Sequence, residues 1–168
     1  MNIYSCIHLF HFEGIPVRIN RVSAFLCVLL LLLSVIIGPS FLIVYLCILF
    51  VMFIHEAGHA LVAKRFGCDV YEIRLYLFHG KCIFSDPYTE YEQVLIIWGG
   101  PLAQLMLLLL SSVILFAYGY SPYSFYNIML VIFVYYNFAN VLFNLMPISW
   151  LDGGTAWKII PMLIKKRS

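Results

Sequence analysis

Residues 22–54 contain no charged side chain and no histidine, and this run limits the possible folds more than any other feature. One membrane-spanning helix needs about 20 apolar residues, so the run is too long for a single span. Gly38-Pro39 interrupts it, and glycine followed by proline favours a turn. The sequence therefore predicts two spans, residues 22–37 and 40–63, joined by a tight turn.

The overall composition is also typical of a membrane protein. Of the 168 residues 11% are charged and 64% apolar, whereas a soluble domain carries about 25% charged residues. A disordered chain would combine low hydrophobicity with high charge, which is the opposite pattern. The formal net charge of +2 gives no reason to expect a nucleic-acid partner.

Two further apolar runs predict spans at residues 94–118 and 125–145, with Gly99-Gly100-Pro101 interrupting the start of the first of these. The predicted fold class is an all-α polytopic membrane protein with about four transmembrane helices, forming a single core over residues 1–168. Residues 159–164 are apolar but contain Pro161 and are too short to cross a membrane. We expect this segment to lie at the membrane interface.

The positions of the basic residues predict the orientation. The turns between spans one and two, and between spans three and four, contain no Lys or Arg. The positive-inside rule therefore places both termini and the central loop in the cytoplasm. The basic residues on that side are Arg18, Arg21, Lys64, Arg65, Arg74, Lys81, Lys158, Lys165, Lys166 and Arg167.

The central loop, residues 67–93, is the most polar stretch of the chain. Apolar residues partly alternate over residues 69–78, and residues 81–84 follow a His79-Gly80 turn. This pattern predicts a short β-hairpin in the cytoplasmic loop. Another strand is predicted around residues 15–19, just before the first span.

Three side chains of the second span are out of place in a membrane. His55, Glu56 and His59 form the pattern His-Glu-x-x-His, and a charged side chain within a span costs about 2.5–3.5 kcal/mol on insertion. Positions i and i+4 share a helix face, so both imidazoles can reach one zinc ion. Glu56 is placed to take a proton from an activated water. A cluster that only hydrogen-bonds between helices is the alternative.

A third ligand is expected from Asp152. The fourth predicted span runs parallel to the second, so Asp152, just beyond its inner end, lies at the membrane level of His55 and His59. Gly153-Gly154 would allow close approach of the backbone. The alternative is an aspartate that only caps a helix at a turn.

Asn137, Asn140 and Asn144 are spaced i, i+3 and i+7 on one face of the fourth span. They either hydrogen-bond between helices or, for Asn144 and Asn140, bind substrate backbone or an oxyanion. Pro147 ends or kinks this helix and is a further candidate substrate contact. We interpret Gly99-Gly100-Pro101 as helix punctuation or as a close helix contact, and His79 as a solvated loop residue.

Together these motifs resemble the site-2 protease family of intramembrane zinc metalloproteases. The resemblance covers residues 14–154. Within the family, the chain is similar to the branch that processes sporulation sigma factors. The motifs that carry the resemblance are His55-Glu56-Ala57-Gly58-His59, Gly99-Gly100-Pro101, Asn144 with Pro147 and Asp152-Gly153, and, for the branch, Tyr136-Asn137 and Gly100-Pro101-Leu102 followed by Gln104.

The resemblance implies a zinc metalloendopeptidase with one Zn²⁺ held by His55, His59 and Asp152, and with Glu56 as general base. It implies cleavage of a transmembrane or membrane-associated protein near the cytoplasmic face, in what would be a bacterial cytoplasmic membrane. Membrane lipid and a regulatory membrane protein are the other expected partners. The β-hairpin and residues 144–152 would guide an unwound substrate.

The chain departs from the family at Gln104, where many members carry Asn at or near this position, and at Ser149 and Trp150, where many carry Pro. Neither a PDZ nor a CBS domain is expected. Two other functions are weighed against a protease: an inactive metal-binding membrane protein that sequesters a partner, and a channel or transporter. The intact Glu56 argues against the first, and the single localised polar cluster argues against the second.

Overall fold

Four long helices occupy the four predicted apolar runs of the computed structural model, which describes residues 6–165. They are α1 (Arg21–Ile37), α2 (Ser40–Arg65), α3 (Glu90–Tyr118) and α4 (Ser124–Asn144). By length and composition α2, α3 and α4 can each cross a membrane. Helix α1 is apolar but has 17 residues, about 25 Å of helix against a hydrocarbon core of about 30 Å.

The tight turn predicted at Gly38-Pro39 is confirmed. Asn20 caps the start of α1, where its side chain accepts a hydrogen bond from the Val22 N–H at 2.8 Å. Gly38 ends the helix with a φ of 84°, a conformation that favours glycine. Helix α2 then begins at Ser40, directly after Pro39.

Helix α3 runs without a break through Gly99-Gly100-Pro101, so the predicted interruption at the start of this span is wrong. Thr89 and Glu92 begin the helix with a reciprocal capping box. Proline within a helix removes one hydrogen bond, and here the packing of α3 against α2 maintains the helix. A Cβ on either Gly58 or Gly99 would overlap the backbone of the other, so the alternative reading, a close helix contact, is confirmed.

The strands are β1 (Cys6–Phe12), β2 (Ile15–Asn20), β3 (Val70–Leu75) and β4 (Gly80–Phe84), in the spatial order β1-β2-β3-β4. Strands β1 and β2 pair antiparallel, β2 and β3 parallel, and β3 and β4 antiparallel. The predicted hairpin corresponds to β3 and β4, and the predicted strand before the first span corresponds to β2. Strand β1 was not predicted, so the sheet is larger than the expected hairpin.

The sheet packs against the half of α2 that carries the His-Glu-x-x-His pattern. One face of β2 and β3 is buried against α2. The Phe10 and Phe12 rings contact Phe53 at centroid distances of 5.4 and 5.3 Å, and Lys64 Nζ donates to the Glu13 carbonyl at 2.7 Å. The residues of this buried core are Ile15, Val17, Ile19, Tyr45, Leu49, Met52, Ala57, Ala60, Ile73 and Leu75.

Two short helices follow α4. Helix α5 (Asp152–Ala156) starts at the candidate ligand, and α6 (Ile159–Lys165) covers the segment predicted at the interface. The basic residues Lys166 and Arg167 lie outside the described residues. A π-helical turn, Ile132–Tyr136, lies within α4 immediately before Asn137.

Candidate metal centre

The three predicted ligands meet at one point. His55 and His59 lie on the same face of α2, with their Nε2 atoms 3.0 Å apart. Asp152 Oδ2 is 2.8 Å from the His55 Nε2 and 3.3 Å from the His59 Nε2. His55 and His59 are buried and Asp152 is partly buried, so these donor atoms converge in a site that is largely shielded from solvent.

Asp152 is brought to this point by a tightly folded segment between α4 and α5. The Trp157 indole N–H donates to the Leu145 carbonyl at 2.7 Å, and the Trp98 indole N–H donates to the Ala156 carbonyl at 3.1 Å. A Cβ on Gly153 would overlap the backbone of Leu145 and Met146. The glycine after Asp152 is therefore required for the segment to fold back so closely.

The hydrogen bonds of the two imidazoles define which ring nitrogen carries the proton. His55 Nδ1 lies 2.9 Å from the Gln104 Oε1, and His59 Nδ1 lies 2.9 Å from the Ile96 carbonyl oxygen. Both oxygens can only accept, so each Nδ1 donates and each Nε2 keeps a free lone pair. The Gly100 N–H, 3.3 Å from His59 Nδ1, is then a close neighbour of the ring and not its donor.

This donor set fits a metal ion. The two Nε2 atoms and the Asp152 Oδ2 lie within 3.3 Å of one another, so Asp152 offers a carboxylate oxygen at the point where the two lone pairs meet. Its Oδ2 has no hydrogen-bond partner of suitable geometry among the described residues. Two imidazole lone pairs and a carboxylate oxygen therefore face one another without a proton, and two His and one Asp are ligands that zinc prefers.

Glu56 lies beside the three ligands and beneath the sheet. Its side chain is buried, with 7% of the residue exposed, and it borders both cavities of the site. A Cβ on Gly80, the first residue of β4, would overlap the Glu56 carboxyl group. The sequence interpretation treated Gly80 only as a turn residue, and its contact with Glu56 depends on how the sheet docks on α2.

Two cavities border the ligands and share His55, Glu56, Gly80 and Asp152 in their linings. The larger has a volume of about 510 Å³ and the smaller about 190 Å³. Apart from the shared residues, the larger is lined by Met52, Phe78, His79, Asn140, Phe143, Asn144, Trp150 and Leu151. The two cavities together form a cleft whose shared lining is mostly polar, and most of the other residues that line the larger cavity are apolar.

Other sequence-predicted residues differ in their relation to the cleft. Asn140 and Asn144 line the larger cavity, whereas Pro147 is exposed and lies outside the lining of both cavities. His79 is an exposed loop residue, as interpreted from the sequence, and it also lines the larger cavity and stacks on Tyr76 at 4.6 Å. Cys82 lines the smaller cavity, where burial and the nearby Glu56 raise the pKa of its thiol to about 12.

The amides of α4 hydrogen-bond within and between helices, which was one of the two alternatives, while Asn140 and Asn144 also line the larger cavity. Asn137 is fully buried and its Nδ2 donates to the Gln104 backbone carbonyl at 2.9 Å, which is an interhelical contact. Gln104 Nε2 donates to Asn140 Oδ1 at 3.1 Å, and Asn144 Nδ2 donates to the same oxygen at 2.9 Å. Sequence reasoning used Gln104 for the branch resemblance and as a departure from a family pattern but assigned it no role in the site, although a polar residue within a span was a signal for one.

Comparisons with known proteins found a family match and a similar solved structure. A model of the family described as Peptidase M50B-like matches residues 22–156. The fold is similar to that of the solved site-2 protease from Methanocaldococcus jannaschii, with a TM-score of 0.65 and 24% sequence identity over 92% of this chain and 71% of that chain. No curated protein matches the chain.

Substitution of Gly100 should weaken metal binding. A Cβ at this position would overlap the imidazole of His59 and come within 2.8 Å of the His55 ring, so both rings would have to move. We expect Gly100→Ala to lower the affinity for zinc about tenfold or more, measured by competition with a chromophoric chelator. Leu102→Ala, which is half-exposed on the same helix, should keep the wild-type affinity. An unchanged affinity in Gly100→Ala would contradict the assigned ligand positions.

Proposed function

The chain belongs to the Peptidase M50B-like family, and on this basis we propose that it is an intramembrane zinc endopeptidase. The observation that carries the proposal is the placement of Glu56 beside three converging donor atoms, on a helix long and apolar enough to cross a membrane. The ligands would be His55, His59 and Asp152, and the general base would be Glu56.

The reaction would combine one metal ion with residues of the chain. The chemistry that zinc supplies when bound is Lewis-acid activation of water and of a peptide carbonyl. Glu56 would accept the proton of the attacking water and return it to the nitrogen of the leaving amine, so that one peptide bond is exchanged for a carboxyl group and an amine. Since Glu56 lies on the shared wall of both cavities, it can reach a peptide bond at their junction.

The substrate would be a transmembrane or membrane-associated protein. An extended segment can occupy the larger cavity, where Asn140 and Asn144 offer polar contacts to its backbone. The aromatic rim formed by Phe78, Phe143 and Trp150 suits apolar side chains. Such a segment must first unwind, because a helix keeps its backbone hydrogen bonds internal.

We further propose that the enzyme belongs to the branch that processes sporulation sigma factors, with a sigma-factor precursor as its substrate. Support comes from the resemblance of Tyr136-Asn137 and of Gly100-Pro101-Leu102 with Gln104 to that branch. A bacterial cytoplasmic membrane and a regulatory membrane protein belong to the same proposal. Identification of the accumulating substrate, described below, tests it.

The membrane orientation predicted from the basic residues requires that α1 crosses the membrane as a fourth span. Both termini and the hairpin of β3 and β4 would then face the cytoplasm. We expect a fluorescent protein fused to either terminus to fluoresce in cells, since folding of such a reporter requires the cytoplasm. A fluorescent C-terminal fusion with a dark N-terminal fusion would indicate three spans and contradict this orientation.

Replacement of Glu56 separates catalysis from metal binding. Glu56→Gln should retain zinc but lose about 10²–10⁴-fold in cleavage rate, because the amide cannot accept the proton. Membrane proteins that accumulate in cells with Glu56→Gln, relative to wild type, identify candidate substrates, and the purified wild type should then cleave them. Glu90→Gln, in the first turn of α3, is the control and should cleave normally.

Two results would contradict the proposed mechanism. Cleavage by Glu56→Gln at the wild-type rate would exclude Glu56 as general base. A zinc-loaded wild type that cleaves none of the accumulating proteins would favour the alternative of an inactive metal-binding protein that sequesters a partner.

A further inference from the structure

Gln104 links the metal ligands on α2 to the amides of α4. It lies in α3 and is fully buried, although an unpaired amide is costly to bury. We propose that Gln104 is a positioning residue that fixes the proton of His55 and, through Asn140, the direction in which Asn144 presents its amide to the substrate. This inference rests on the proposed function, because it assigns these amides a role in zinc binding and in substrate contact.

The first step concerns His55. Gln104 Oε1 accepts from His55 Nδ1 at 2.9 Å, which leaves the His55 Nε2 unprotonated toward Asp152 and His59. With the oxygen of the Gln104 amide turned toward α2, its NH₂ group must point the other way, toward α4. One hydrogen bond therefore sets both the tautomer of the ligand and the orientation of the amide.

The second step carries this orientation to the cavity. Gln104 Nε2 donates to Asn140 Oδ1 at 3.1 Å, so the oxygen of Asn140 must face α3. Asn144 Nδ2 donates to the same oxygen at 2.9 Å, and Asn140 Nδ2 lies 3.4 Å from the Tyr136 hydroxyl. Asn144 thus donates one N–H to Asn140. Its Oδ1 is then left to accept a backbone N–H of a substrate in the larger cavity.

A third contact separates this role from simple helix packing. Asn137 holds α4 to α3 through the backbone carbonyl of Gln104, at 2.9 Å, and not through its side chain. Substitution of the Gln104 side chain therefore leaves this interhelical bond in place. The side chain can be changed to remove one or both of its hydrogen bonds while α3 and α4 remain anchored.

Two substitutions distinguish the steps. Gln104→Met has a similar length but neither accepts nor donates well, so we expect zinc affinity to fall about 10- to 100-fold. Gln104→Glu can still accept from His55, and with zinc bound the imidazole N–H and the nearby positive charge favour its carboxylate form, which cannot donate to Asn140. We expect it to bind zinc at least as tightly as the wild type does, while KM for the protein that accumulates in Glu56→Gln cells rises about 3- to 10-fold with kcat little changed.

A control variant and the zinc titration separate failure of the positioning role from failure of the proposed function. Ser111→Ala changes a buried polar residue further along α3 and should leave zinc affinity, kcat and KM unchanged. Wild-type zinc affinity in Gln104→Met, or wild-type KM in Gln104→Glu, would overturn the positioning role and leave the proposed function standing. A wild type that binds no zinc would overturn both. Zinc titration needs no substrate, so it tests the first step even if no substrate is found.

Discussion

The close contact between α2 and α3 is the constraint on which the site depends. At Gly58 and Gly99 neither helix has room for a Cβ, and this proximity lets α3 supply the acceptors for both imidazoles of α2. The Ile96 carbonyl and the Gln104 side chain fix the protons on the Nδ1 atoms. In the proposed zinc site the affinity would therefore depend on the partner helix as well as on the two histidines.

The sheet and the segment after α4 complete the site with backbone that is not helical. Irregular backbone at membrane depth is tolerated where protein covers it or where it lines a cavity. Strand β4 lies over Glu56 through Gly80, and the segment before Asp152 is held by two indole hydrogen bonds. In the proposed enzyme this would let water and a peptide meet at the ligands although α2 is otherwise apolar.

Much of the site could be predicted from the sequence, because charged and polar groups within apolar runs have few structural reasons to be there. His55, Glu56 and His59 were identified in this way, whereas Asp152 was predicted from the parallel direction of the second and fourth spans and the hairpin from partial alternation of apolar residues. Strand β1 was missed because apolar residues occur on both of its faces and no alternation marks it. The role of Gln104 depends on the rotation of α3 against its neighbours, and the course of the helix through Pro101 depends on packing, neither of which a single sequence contains.

Zinc content is the most direct test of the proposed metal centre. Elemental analysis of wild-type protein purified without chelators should give about one zinc per chain, and Asp152→Ala should contain far less, because two imidazoles alone leave the tetrahedral site without its anionic ligand. Both proteins should elute as folded species of the same size. A wild type without zinc, or an Asp152→Ala variant that retains the full complement, would contradict the assignment of His55, His59 and Asp152 as a zinc site.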